Sequence, residues 1–216
     1  MELCLGNLHT KKLNTAEERH QAQALVYSIY FEEMHFDINS FSMIGMKIVT
    51  DNTKQQKFLE TNFSANSIWF GLFDKEQLIG CIAASNAADQ YKRHQAEYYI
   101  ENIEQVNQLY NNLISRAYYL GRFVLHKDYR HHAYSLLLAK AILQYCYEHQ
   151  SPVVAVAREK EIKHYHKLIK LKKLRKARLI MNAHIEKCSQ ISWAGYANGG
   201  LQKAIKHINK IIIKHR

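Results

Sequence analysis

Gly121 to His149, GRFVLHKDYRHHAYSLLLAKAILQYCYEH, is the stretch that decides how this chain folds. The short apolar run Phe123 to Leu125 predicts a strand, and the polar segment His126 to His132 predicts a turn. A strongly apolar segment starting near Ala133 predicts a helix. A strand that feeds a helix through a basic turn aims the first free N–H groups of that helix at whatever sits in the turn. Folds hold the phosphates of a cofactor in this way. Arg130, His131 and His132 add charge and donors at that mouth.

Around this stretch the composition sets bounds. A chain of 216 residues is long enough for one well-cored domain, and one domain over 1–216 with no linker is expected. Hydrophobic residues at 47% and charged residues at 23% exclude a disordered chain. No apolar run approaches the roughly 18 residues that span a bilayer. The N-terminus, MELCLGNLHTKK, is too short and polar for a secretory signal. Cys4, Cys81, Cys146 and Cys188 are widely spaced with no CxxC pair, so reduced thiols in a cytoplasmic protein are expected. Charge is uneven. Residues 1–108 carry 9 Lys+Arg against 14 Asp+Glu, and residues 109–216 carry 21 against 5. That asymmetry favours an acidic partner for the C-terminal half, such as a nucleotide cofactor, an acidic carrier protein, nucleic acid or a membrane surface. A solvated lysine-rich face is the alternative.

Periodicity places the other elements. Thr15 with Glu18 forms a capping-box signature, and Ala22, Leu25, Val26 and Ile29 trace the apolar face of a helix from about Ala16 to Glu33. Ser42 to Thr50 reads as a strand and Lys54 to Glu60 as a short helix. Ser67 to Phe73 and Gln77 to Ser85 read as strands joined at Asp74-Lys75-Glu76. Residues 86–113 break the strand rhythm, with Tyr99, Ile103, Val106 and Tyr110 at helical spacing, and predict a helical insertion. Ala117 to Leu125 is the next strand. The helix Ala133 to His149 leaves only Lys140, Gln144 and Glu148 on a polar line, so the rest of it packs on a sheet. Pro152 opens a strand, Val153 to Ala157. Glu161 to Leu174 reads as a basic helix, Leu179 to Ile185 as a strand, and residues 201–216 as a basic amphipathic helix. The order predicts a mixed α/β domain.

The phrase Leu120-Gly121-Arg122-Phe123-Val124-Leu125-His126-Lys127-Asp128-Tyr129-Arg130 resembles the central strand and turn of the GNAT superfamily of acyltransferases. In that family a strand ends in V-x-P-x-Y-R, and R-x-x-G-x-G/A then opens a long apolar helix. The resemblance covers about residues 15–185. It implies an α+β fold with a mostly antiparallel central sheet flanked by helices. Arg122-Phe123 and Ile29-Tyr30-Phe31-Glu32-Glu33 are similar to phrases of one branch, the N-acyl amino acid synthases and acyl-homoserine-lactone synthases. An insertion before the central strand also suits that branch. The chain departs from the pattern at Lys127, in place of proline, and at Ala133 and Ser135, where glycine or alanine is usual. Ile169 and Lys170 replace a Gly-Phe pair, and Tyr119 stands where the branch has glutamate.

The resemblance implies an N-acyltransferase that moves an acyl group to a small-molecule amine such as an amino acid. The donor would be acyl-CoA (acetyl or longer) or an acyl-phosphopantetheine on an acidic acyl carrier protein, with no metal. Phe123, Val124 and Leu125 would lie along the donor's pantetheine. Lys127, Arg130, His131, His132, Ala133, Tyr134 and Ser135 would hold its phosphate. Tyr165 matches the family's tyrosine acid, which both donates to and protonates the departing thiolate; a packed or surface tyrosine is the alternative. Glu32, Glu33 and His35 would hold or deprotonate the amine, against the alternative of a polar helix end. Arg122 would pair with an acceptor carboxylate, or with an acid of the N-terminal half as a structural ion pair.

Two other classes compete: a non-catalytic GNAT-like module that binds an acyl thioester, and a basic nucleic-acid-binding protein. LIKLKKLRKAR has the charge for nucleic acid but few interleaved aromatics and no known binding motif, so nucleic acid is not the expected partner. His131-His132 and His164-x-His166 lack the carboxylate partners and the HExxH frame of a metal site.

Overall fold

The computed structural model describes residues 3–36, 46–61, 67–86, 117–130, 133–177, 191–196 and 200–214. These residues form two compact units, one from 1–83 with 122–142 and one from 84–121 with 143–215. The predicted insertion over 86–113 lies outside the described residues except for Asn86, as does the predicted strand Leu179 to Ile185.

The first unit begins with an antiparallel hairpin, β1 (Leu3–Leu5) and β2 (Leu8–Lys12), which the sequence reading missed. Helix α1 (Ala16–Tyr27) follows, closed by the capping box that Thr15 and Glu18 predict. Glu18 accepts from the backbone N–H groups of Asn14 and Thr15 at 2.8 and 2.9 Å, while Thr15 Oγ1 accepts from Glu18 N at 3.1 Å. Lys11 adds an ion pair at 2.6 Å. The helix continues as a π-helical stretch, Ser28–Glu33, sealed by Met34 N donating to Ile29 O at 2.9 Å.

Glu18 is the acid-sensitive point of this cap. The Lys11 hydrogen bond, helped by the two backbone donors, brings its carboxyl from 4.5 to about 2. A group depressed on folding contributes fully above its unfolded value and loses that contribution as pH falls through the folded one. Stability should therefore drop between about pH 4.5 and 2, and Glu18→Gln should remove that component of the fall. Melting curves of both proteins across this range check it; parallel curves would overturn it.

Strands β3 (Met46–Asp51) and β4 (Gln56–Thr61) form a separate two-stranded antiparallel sheet. This corrects the expected helix at Lys54 to Glu60. Pairing from Met46↔Thr61 to Asp51↔Gln56, together with burial of Leu59 to 1% exposure, outweighs the modest helical signal of that stretch. Strands β5 (Ile68–Asp74) and β6 (Gln77–Asn86) follow as predicted. The core of the unit joins Leu13, Val26, Tyr27 and Ile29 to Leu59, Trp69, Phe73, Cys81 and Val124. The sheet runs β1-β2-β5-β6-β7, where β7 (Tyr118–Leu125) begins in the second unit and ends in the first.

In the second unit the sheet order is β7-β8-β10-β9, with β8 (Val153–Arg158), β9 (Lys172–Ala177) and β10 (Ile191–Tyr196). The β7–β8 pair is parallel, at Tyr118↔Val153 and Tyr119↔Val154, whereas β8–β10 and β10–β9 are antiparallel. Helix α2 (Ser135–Glu148) passes from the first unit into the second and buries Leu136, Leu137, Leu138, Ile142, Leu143 and Cys146. Helix α3 (Glu159–Ile169) starts and ends earlier than the expected Glu161 to Leu174. Lys170 turns left-handed at φ 57°, and His166 Nδ1 meets Leu171 O at 3.0 Å. Antiparallel pairing with β10 then draws Lys172–Ala177 into a strand despite its charge. Helix α4 (Gly200–Lys214) buries Ala204, Ile205, Ile208 and Ile212, so its apolar face is part of the unit's own core. The fold is the expected mixed α/β one, with a mostly antiparallel sheet flanked by helices.

Candidate active site in the strand–turn–helix of the first unit

The end of β7 is shaped by one backbone conformation. Arg122, a half-buried strand residue, has φ 54°, in the left-handed region that an L residue with a long side chain enters only at a cost of about 1–2 kcal/mol. Its carbonyl lies 3.9 Å from the buried Cys81 Sγ, which also points at Ala22 O at 3.7 Å. Burial pushes the Cys81 thiol far up, so it serves as a packed apolar group and not as a nucleophile. After this kink Val124 and Leu125 are buried at 4% and 7% exposure. Their side chains belong to the core, and a ligand along this strand would meet backbone.

Gly80 on β6 permits that packing. A Cβ there would lie 2.7 Å from Leu125 Cδ1, 3.0 Å from Val124 O and 3.1 Å from Leu138 Cδ1. The site strand and α2 thus close on a position with no room for a side chain.

The turn after β7 is pinned at several points. His126 N donates to Ile79 O at 2.7 Å, and a short 3₁₀ helix, Lys127–Tyr129, follows. Tyr129 Oη donates to Asp74 Oδ2 at 2.8 Å, tying the turn to the β5–β6 hairpin. That bond raises the Tyr129 phenol, because a phenolate beside a carboxylate is disfavoured. His126 Nδ1 lies 3.4 Å from Asp128 Oδ2. Arg130 folds back, its Nε donating to Leu125 O at 2.7 Å. Its fork grips Glu33 bidentately, Nη1 to Oε1 and Nη2 to Oε2, the latter at 2.8 Å. Arg130, and then Lys127 and His126 through space, hold the Glu33 carboxyl below the usual carboxylate range. At the start of α2, Leu136 N and Leu137 N are taken by Ala133 O and Tyr134 O at 2.9 and 3.0 Å.

Glu33, Arg122, Phe123, Val124, Leu125, Lys127, Arg130, Ala133, Tyr134 and Ser135 all belong to the first unit, and within it the structure brings Glu33 against Arg130. Lys127 and Glu32 are exposed, and Ala133, Tyr134 and Ser135 are half-buried. His131 and His132 lie outside the described residues. Tyr165 is in the second unit, half-buried on α3, with its ring edge-on to His164 at a centroid distance of 5.9 Å. Asp74, Tyr129 and Gly80 were missed by the sequence reading. Tyr129 stands inside the motif phrase, and Asp74 at the hairpin turn was a signal for turn geometry only. Among the described residues no group of three or more His, Cys, Asp or Glu is placed to hold a metal ion.

Both side chains of the Arg130–Glu33 pair are more than a third exposed, at 37% and 34%, and solvent screens it. Arg130→Ala should cost only about 1 kcal/mol of stability. Adding Glu33→Ala to it should cost less than Glu33→Ala costs alone, a coupling below about 1 kcal/mol. Urea unfolding of the four proteins reads this; strict additivity would show that the pair contributes nothing.

No family model matches the chain, and no curated protein matches it by sequence. Solved structures do. The N-acyl amino acid synthase FeeM from uncultured soil microbes aligns with TM-score 0.60 at 13% identity, covering 91% of this chain and 93% of that one. The CoA-dependent acyl-homoserine lactone synthase BjaI, solved with SAM and isopentyl-CoA, aligns with TM-score 0.59 at 13% identity, covering 90% and 83%. An acyl-CoA N-acyltransferase from Pseudomonas aeruginosa aligns with TM-score 0.53 at 12% identity, covering 88% and 99%. The chain shares the fold of these structures, an N-acyl amino acid synthase and acyl-homoserine lactone synthases among them, and that is the GNAT-like fold expected from the sequence.

Proposed function

We propose that this protein is an N-acyltransferase that moves an acyl group from a pantetheine thioester to a small-molecule amine. The observation that carries the reading is the kinked β7 strand, with left-handed Arg122, feeding a pinned basic turn and the start of α2. A strand bent in this way presents backbone N–H and C=O groups to an extended ligand with amides of its own. The turn beyond it adds the cation Lys127 and the N-terminal end of α2 for a phosphate. The fold's likeness to acyltransferases supports the same reading.

In the proposed reaction the neutral amine nitrogen attacks the thioester carbonyl carbon. The carbonyl oxygen becomes an oxyanion, stabilised by backbone N–H donors of β7. Collapse breaks the C–S bond, and the thiolate leaves with a proton from Tyr165, the candidate acid on the resemblance. The nitrogen surrenders its extra proton to solvent or to Glu32. Glu33 was the expected base, but a carboxylate already gripped at both oxygens by Arg130 is a weak one, and its role is better assigned to holding the turn. Arg122 is the candidate partner for an acceptor carboxylate. A carrier-bound donor would also account for the excess of basic residues in 109–216. The protein would then work in the cytoplasm, where both donor types are made.

The test is native mass spectrometry of the purified protein for retained donor, with a thiol-release assay using acyl thioesters and an amine panel. Thiol release that requires the amine is the expected result. Thioester binding without release would favour the non-catalytic module, and salt-sensitive retention of nucleic acid in place of either would favour the third class.

A further inference from the structure

Helix α4 has two unlike faces. Ala204, Ile205, Ile208 and Ile212 are buried in the core of the second unit. On the opposite side Lys203, Lys206, Lys210 and Lys214 are all exposed. Set at helical intervals, they keep to one line that runs about 16 Å along the helix axis. Helix α3 flanks this line: His207 Nε2 meets Lys167 O at 2.9 Å, and Lys163 and Lys167 are exposed on α3. No Asp or Glu stands anywhere in 187–216, so α4 carries no acid of its own. Beside the lysines lies Ile213, which at 67% is the most exposed large apolar side chain among the described residues. It follows Lys210 by one helical turn and Lys206 by two, so the three share one patch of surface.

We infer that this face of α4 is a docking surface for an anionic lipid bilayer. The inference goes beyond the acyltransferase reading and does not depend on it. Among the described residues no helix is long and apolar enough to cross a membrane, so the contact is one with the headgroups. Lysine suits that contact, because its ammonium meets the lipid phosphates while its methylene stem rests on apolar material. Each lysine close to such a surface raises the affinity about fivefold. Charge by itself would suit nucleic acid or an acidic protein as well, and two details favour lipid. Gly200–Lys214 contains no Phe, Tyr, Trp or Arg to stack on bases or fork around phosphates. An isoleucine left in water beside lysines gains where an acyl layer lies directly beneath a charged one.

The experiment is co-sedimentation of the full chain with vesicles of phosphatidylcholine alone and of phosphatidylcholine mixed with an equal part of phosphatidylserine. The unaltered protein should bind the anionic vesicles about 100-fold more tightly, and less so as salt rises. Lys206→Gln combined with Lys210→Gln should weaken that binding about 25-fold. Ile213→Ser should weaken it about fivefold at low and high salt alike, because burial of an apolar side chain is not screened. All three positions are exposed, so both variants should melt with the unaltered protein. Equal binding to the two kinds of vesicle, binding to neither, or anionic binding unmoved in the variants overturns the inference. Binding of a duplex oligonucleotide or of polyglutamate through the same lysines, with the vesicles left unbound, assigns the stripe to nucleic acid or to an acidic protein and overturns it too. Vesicle binding by a protein that releases no thiol from acyl thioesters upholds this inference while the acyltransferase reading fails.

Discussion

Gly80→Val is expected to destabilise the protein by about 2–3 kcal/mol, because overpacking at a closed contact forces both side chains and backbone to move. Leu125 Cδ1, the atom nearest an added Cβ at 2.7 Å, is the end of a side chain and can turn away. Val124 O at 3.0 Å is backbone and cannot move without moving β7. Leu138 Cδ1 at 3.1 Å closes the third side, on a residue of α2 that is 0% exposed. The same displacement shifts the strand proposed to hold the donor, so the donor KM should rise along with the loss of stability. Gly121 provides the comparison: a Cβ there meets only Tyr119 Cε1, at 3.8 Å. Gly121→Ala should stay within about 0.5 kcal/mol of the unaltered protein. Urea unfolding of both variants decides the matter, and equal costs at the two glycines would show that β6 and β7 are not packed as tightly as described.

The second large effect is on turnover. Tyr165→Phe removes the hydroxyl proposed to protonate the departing thiolate, and loss of a positioned acid costs about 100-fold in kcat. The ring and its edge-on contact with His164 are kept, so the melting temperature and the donor KM should change little. Single-turnover thiol release, with calorimetric donor binding as control, separates the chemical step from binding. Unchanged turnover would refute the assignment of Tyr165 even with the family reading intact. A parallel fall in donor affinity would mark it as a packing residue.

Much of the frame was legible because it depends on local chemistry. The Thr15–Glu18 capping box sits within one helical turn, and the apolar face Ala22, Val26, Ile29 repeats at helical spacing. β5 and β6 are continuous apolar runs joined by a short polar turn. The apolar run of α2 and its narrow polar stripe correctly predicted a helix packed on a sheet, with Gln144 and Glu148 bonded along that stripe at 2.9 Å. The candidate site was legible to the extent that it is one continuous phrase, from Arg122 through Tyr129 and Arg130 to Ser135.

Where the reading went astray, the cause was partners distant in sequence. Gln56–Thr61 and Lys172–Ala177 carry weak strand signals, and each is a strand because another strand lies alongside it. Glu33 looked like a free acid at a helix end, and Arg130 like a free phosphate ligand. Their bidentate pair joins residues 97 apart in sequence, a separation over which no periodicity carries information. Helix spacing, capping and the strand–turn–helix order are written into neighbouring residues, so the chain alone determines them. Which strands pair, which glycine closes a contact and which charges cancel are decided by positions in space. The grip of Arg130 on Glu33 and the bond from Tyr129 to Asp74, which fix the turn after β7, exist only once residues far apart in the sequence have been folded together.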